Sequence, residues 1–295
     1  MPEKNIIVSV GGNLDSAVKG EYSVDVKGVL TEAWQQTLKS RMSINIALIG
    51  VFFFGVIISY IASSFFGGIE LVFENPEMLQ IINVVVTVAV WPFIAGIEMM
   101  GVYHAINRPT KSSMIFSFLN RGSWVALCAL LTSLLISIGA QIFLIPGVIL
   151  AVLLSLTIPL VVEKKMTPVQ AVIVSVKALR FKLLPLLVIF FVLFMALVSL
   201  LVPIALLLET QIAPLGIAIF LFGLTYLAPW YYNVKGILYR DIFGVFIAKE
   251  LVITNTGDES FEHDNELNAA NRKPEGKSHT TKDSDHNGSD DTFSA

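Results

Sequence analysis

Glu98, inside one of the long apolar runs of this 295-residue chain, and His104, six positions on, are residue types that a proton relay or a hydrolytic acid–base pair would use. An offset of six turns two side chains to roughly opposite sides of a helix. The spacing therefore favours a structural role for Glu98. The chain also offers it a partner, because Pro92-Phe93 with Glu98 six residues after the proline matches Pro229-Trp230 with Lys235 at the same offset. Equivalent places in two similarly built spans put a carboxylate and an ammonium at one depth, where a lone charge is costly. The expectation is that these two spans adjoin and that Glu98 and Lys235 form a salt bridge near the cytoplasmic end.

Other chemistry finds no residues to carry it. There is no Gly-x-Ser-x-Gly elbow, no His-Glu-x-x-His helix, no phosphate-binding loop and no pair of mid-membrane aspartates. The single cysteine, Cys128, lies in an apolar run and reads as a small packing residue. No catalytic, cofactor-binding or metal-ligating residue is expected, and the reading is non-enzymatic.

What must position these side chains is a membrane bundle. With 55% hydrophobic and 15% charged residues and a mean hydropathy of +0.73, the chain falls far from soluble globular composition. The first forty residues carry no signal-peptide pattern, so the first apolar run is expected to be a retained anchor. Crossing a hydrocarbon core takes about 20 apolar residues in helical form. Runs at 42–66, 81–104, 183–208 and 215–234 meet that length. The run from Ser123 to Val162 is about twice too long for one crossing, and its Pro146-Gly147 is a turn signal. It reads as a hairpin of spans at 123–140 and 147–162. The fold class is therefore an all-α polytopic bundle of six transmembrane helices. Small residues at every fourth position, Gly55, Ser59, Ser63 and Gly67, then Ala129, Ser133 and Ser137, then Gly147, Ala151 and Ser155, are expected to let helix backbones approach. Pro92, Pro159, Pro203 and Pro229 are expected to interrupt four spans.

Orientation follows from Lys and Arg. Segments with Lys39 and Arg41, with Arg108, Lys111 and Arg121, with Lys164 to Lys182, and with Lys235, Arg240 and Lys249 alternate with segments that hold only Glu70, Glu74, Glu77 and Glu209. Basic flanks stay in the cytoplasm, so both termini are placed there. Three stretches on that side look amphipathic. In the entry helix at 29–41, Leu30, Ala33, Trp34, Thr37 and Leu38 share a face opposite Gln36. Met114 to Leu119 forms the second. Thr167-Pro168-Val169-Gln170 opens the third with a capping-box spacing, and Val169, Val172, Ile173, Val176 and Leu179 face one way. They are expected to lie in the headgroup plane against anionic lipid. Residues 1–28 read as a cytoplasmic segment. Residues 253–295 hold ten acids against four Lys or Arg and almost no apolar residue, a composition expected to be disordered. Charge so distributed leaves no basic face for nucleic acid.

Leu144-Ile145-Pro146-Gly147-Val148-Ile149-Leu150, followed by Ser155, Pro159-Leu160, Thr167-Pro168, Ala171 and Ser175, resembles the central signature of a group of six-span bacterial inner-membrane proteins. The group includes the YciC-like proteins and the membrane domain fused to some glycerophosphodiester phosphodiesterases. Ala228-Pro229-Trp230 through Tyr239-Arg240-Asp241 is similar to its closing motif, and Val29 to Trp34 to its entry helix. The resemblance spans about 25–245 and implies a fold, with no activity attached. The expected function is to organise or bind envelope components or lipid. Anionic headgroups are the expected partners, and an envelope protein is a further candidate. The alternative is a transporter or lipid-handling protein using the proline-broken spans. A dry bundle would favour the first, a polar cavity the second.

Overall fold

The computed structural model describes residues 6–249; the acidic tail lies outside them. Six helical stretches are long and apolar enough to cross a membrane. They make the protein a multi-pass, nearly all-α bundle. The order is β1 (Ile6–Val10), α1 (Leu14–Lys19), α2 (Val26–Ser64), α3 (Ile69–Glu74), α4 (Pro76–Ala105), α5 (Gly122–Ile142), α6 (Leu144–Leu153), α7 (Thr157–Glu163), α8 (Pro168–Leu179), α9 (Leu183–Leu207), α10 (Ala213–Phe243) and β2 (Val245–Lys249).

The entry helix and the first span are one helix, because nothing between Val26 and Ser64 ends it: the run holds no proline, and Asp25 caps its start by accepting from Lys27 N. The entry stretch is thus no separate helix, and it packs along α10, with Trp230 Nε1 donating to the Leu30 carbonyl at 3.2 Å. Its buried face is Val29, Ala33, Gln36 and Thr37, while Leu38 is exposed. Gln36, expected on the polar side, donates instead to Asn107 Oδ1 at 3.0 Å. The second stretch forms two short 3₁₀ turns, Ser112–Phe116 and Leu119–Arg121, with Ile115 buried and Phe116 and Leu119 exposed. In α8 the capping box of Thr167 and Gln170 forms on both sides. Pro168, Ala171, Ser175 and Ala178 face the bundle, and Val169 and Ile173 face outward.

The hairpin in the long third run turns at Phe143, the one extended residue between α5 and α6 (φ −157°, ψ 151°). Phe143 lies between the spans expected at 123–140 and 147–162, and Pro146 and Gly147 come just after the turn. Pro146 sits in the first turn of α6, where a missing N–H costs nothing. Gly147 is the close approach: a Cβ there would come within 2.8 Å of Ala140, and one on Gly139 within 3.3 Å of Gly147.

Of the four proline-bearing spans, only the one with Pro159 is broken. Pro92, Pro203 and Pro229 lie inside continuous helices. Between α6 and α7 the chain loosens at 154–156, and Thr157 N bonds Leu154 O in place of Leu153 O. Ser175 on α8 donates to the released Leu153 carbonyl at 2.6 Å. In α10, Pro229 has no N–H for Thr225 O, and Asn45 Nδ2 on α2 donates to that carbonyl at 2.9 Å. Neighbouring helices thus restore bonds that irregular backbone leaves open inside a membrane.

Packing is uneven along the bundle axis. At the end with the basic loops, residues 95 to 102 of α4 are all buried, as is nearly every residue from Asn233 to Phe243 of α10. Toward the other end large apolar side chains such as Phe52, Phe65 and Phe73 are exposed. A small antiparallel sheet, β1 with β2 in the register Val10 to Val245, joins the chain before α2 to the chain after α10. The segment expected only as a cytoplasmic lead is therefore structured from Ile6 onward.

Two of the three small-residue stripes do not bring helices together. Gly55 and Ser59 border a shallow apolar groove beside α4, where a Cβ on Gly55 would meet only Val90 at an ordinary 3.5 Å; Ser63 is buried and bonds its own helix, and Gly67 lies in the turn after it. On α5, Ala129 is buried but Ser133 and Ser137 are exposed; its packed face is Val125, Cys128, Ala129, Thr132 and Gly139. The third stripe holds at Gly147, leaves the interface at exposed Ala151, and is cut by the break at Ser155.

Candidate functional site

α4 and α10 cross at two glycines. A Cβ on Gly101 would run into the Tyr232 carbonyl, and one on Gly236 into the Gly101 carbonyl, so only glycine lets the backbones touch here. That contact brings the neighbouring residues Glu98 and Lys235 face to face. Lys235 Nζ lies 2.5 Å from Glu98 Oε1, with both side chains at most 6% exposed. Lys235 also sits 5.6 Å from the Tyr231 ring centroid. The second carboxylate oxygen, Glu98 Oε2, has no hydrogen-bond partner among the described residues, and the same is true of Ser155 Oγ at the break in the fourth span.

His104 takes no part in this pair. Its ring points to another set of polar groups that ties α2, α4 and α10 to the loop after α4. Asn233 Nδ2 donates to Thr37 Oγ1 at 2.9 Å, and Asn233 Oδ1 lies 2.9 Å from His104 Nδ1. His104 Nε2 lies 2.7 Å from Thr110 Oγ1, which is 2.9 Å from Ser43 Oγ. With Asn233 donating to Thr37, its oxygen accepts the His104 Nδ1 proton, and Nε2 accepts from Thr110. Every group then has a partner without a charge on the ring.

Nearer the basic end Arg240 grips Glu32 through its two terminal guanidinium nitrogens, at 2.5 and 3.0 Å, and donates to the Ala105 carbonyl at 2.6 Å. A cation on the last carbonyls of α4 meets the negative end of its dipole. Tyr239 donates to Glu163 Oε2 at 2.7 Å, and Lys164 pairs with the same carboxylate at 3.2 Å. Before α2, Tyr22 donates to Ala178 O at 2.8 Å; burial pushes its hydroxyl up to about 12, which keeps the donor protonated. These contacts lock the structured end.

The other notable feature is a groove of about 970 Å³ between α2, α9 and α10. α10 forms its floor, because α2 and α9 each pack on α10 but touch one another little. Its walls are Phe52, Phe53, Phe190, Phe194, Leu224 and Tyr231 with further aliphatic residues, and Asn45 and Thr225 form a small polar spot.

Of the sequence candidates, Glu98 and Lys235 are brought together, Gly147 occupies a close helix contact, Pro92 packs beneath Gly122, and Pro229 is buried within α10. Gly101, Gly236, Asn233 and Asn45 are not among those candidates, whereas Thr37 lies on the face of the entry helix expected to pack. A polar Asn within an apolar run was the available signal for Asn45 and Asn233. Nothing in the sequence marks which of 20 glycines meets a backbone.

Compared with models of protein families, with curated proteins and with solved structures, the chain finds no match.

Proposed function

We propose that this chain is a non-enzymatic protein of a bacterial inner membrane, with both termini in the cytoplasm, that binds membrane lipid on its lateral face and organises envelope components around it. The observation that carries the reading is the groove between α2, α9 and α10. It is acyl-chain sized, walled by aromatic and aliphatic side chains, and opens sideways between spans. The orientation rests on the alternation of basic and acidic loops. The non-enzymatic part is supported by how the buried polar groups are used: His104, Asn233 and Thr37 bond one another, and Lys235 bonds Glu98. The same reading places the chain among the six-span YciC-like proteins that its central sequence resembles. Native mass spectrometry of the protein in mild detergent tests it. Phospholipid should survive on the folded protein, and a bare folded protein at every detergent concentration would overturn the reading.

A second reading, transport of a small polar solute or proton, is favoured by one observation. The fourth span is discontinuous, and both Glu98 Oε2 and Ser155 Oγ are buried without a partner among the described residues. It predicts uptake or proton flux in proteoliposomes that Glu98→Gln abolishes while the bundle stays folded. Lipid binding alone predicts no flux.

A further inference from the structure

We propose that the groove between α2, α9 and α10 holds the acyl chains of an anionic diacyl phospholipid from the cytoplasmic leaflet, with Arg41 as the counter-charge to its headgroup phosphate. The proposal rests on the lipid-binding reading above and names the lipid class, the leaflet and the residue that selects it.

Arg41 lies on the same stripe of α2 as Asn45, Ile49 and Phe53, one turn nearer the basic end than the groove wall. Its guanidinium lies 3.9 Å from the Tyr226 ring centroid. Among the described residues it makes no ion pair and no hydrogen bond. The ring engages the cation's charge but leaves its N–H fork unfilled, and such a fork matches two phosphate oxygens. Tyr226 is itself flanked by Trp34, with ring centroids 6.1 Å apart, and Trp34 meets Trp230 edge-on at 5.6 Å. Aromatic rings and a cation grouped at one level are what a protein presents to lipid headgroups.

The dimensions agree with one leaflet. From Arg41 to Phe53 the helix rises about 18 Å, against roughly 15 Å for half of a hydrocarbon core. A phosphate at Arg41 therefore leaves its acyl chains lying along Phe52, Phe53, Phe190 and Phe194, ending near the bilayer midplane. A zwitterionic headgroup brings its own ammonium to its phosphate and gains less from the arginine.

The test is native mass spectrometry of the full chain in mild detergent, titrated with phosphatidylglycerol and phosphatidylethanolamine of identical acyl chains. The wild-type protein should retain the anionic lipid about tenfold more tightly, the size of one charge-assisted contact. Arg41→Gln should bring the two lipids within about twofold of each other, and Arg41→Lys should keep an intermediate preference. Thermal midpoints establish that the variants fold. Equal retention of the two lipids by the wild type, or an undiminished preference in Arg41→Gln, overturns the assignment. Loss of both lipids from the wild type overturns the lipid-binding reading itself, whereas retention without preference overturns only the headgroup assignment.

Discussion

Lys235 on α10 meets Glu98 on α4 across a contact in which Gly236 rests on the carbonyl of Gly101. The ion pair and the glycine pair are one device. The glycines bring the backbones close enough for the short reach of the carboxylate, and the pair neutralises two charges that neither helix could bury alone.

Charge reversal tests the electrostatic half. Glu98→Lys and Lys235→Glu should each lower stability by about 3 kcal/mol, because each leaves two like charges facing in a buried site. The double exchange should recover most of that loss, read as thermal unfolding in detergent. Losses that simply add would show that the two side chains do not interact in the folded protein.

Steric substitution tests the other half. Gly101→Ala and Gly236→Ala place a methyl group where backbone already stands, and each should cost about 2 kcal/mol or more. Gly55→Ala, which meets only Val90 at 3.5 Å, should be nearly neutral. A Gly55 variant as damaging as the other two would mean that the α2 stripe packs tightly after all.

Topology is tested by reporter fusions. Fusions after Asn75 and Thr210 should report the periplasm, and those after Ile115, Gln170 and Ser260 the cytoplasm. A periplasmic signal at Gln170 would contradict the turn at Phe143 and reduce the number of crossings.

The legible parts of this protein are those governed by one-dimensional rules. Hydropathy length finds the six spans, the capping box of Thr167 and Gln170 forms as its spacing predicts, and the Pro–Glu and Pro–Lys offsets bring Glu98 to Lys235. What was hidden depends on which face of a helix meets which neighbour. In a membrane both the lipid-facing and the protein-facing sides are apolar, so periodicity cannot assign them. Ser133 and Ser137 thus point outward although their spacing suits a contact, and Gln36 points inward. Pro229 and Pro159 look alike in sequence. Pro229 stays in an unbroken helix, and Asn45 bonds the carbonyl it frees. Pro159 lies just beyond a break whose freed Leu153 carbonyl is bonded by Ser175. The pairing of β1 with β2 joins segments at opposite ends of the described chain and leaves no local pattern.

Filling the groove tests the lipid-binding account most directly. Leu224→Trp and Leu197→Trp, both on its walls, should expel bound lipid, whereas Ile138→Trp, exposed on α5 away from the groove, should not. The measurement is phospholipid phosphorus per protein after exhaustive washing in mild detergent, with folding verified by thermal midpoint. The account predicts that lipid is retained by the wild type and by Ile138→Trp and is lost from both groove variants. Equal lipid content in all four folded proteins would contradict it.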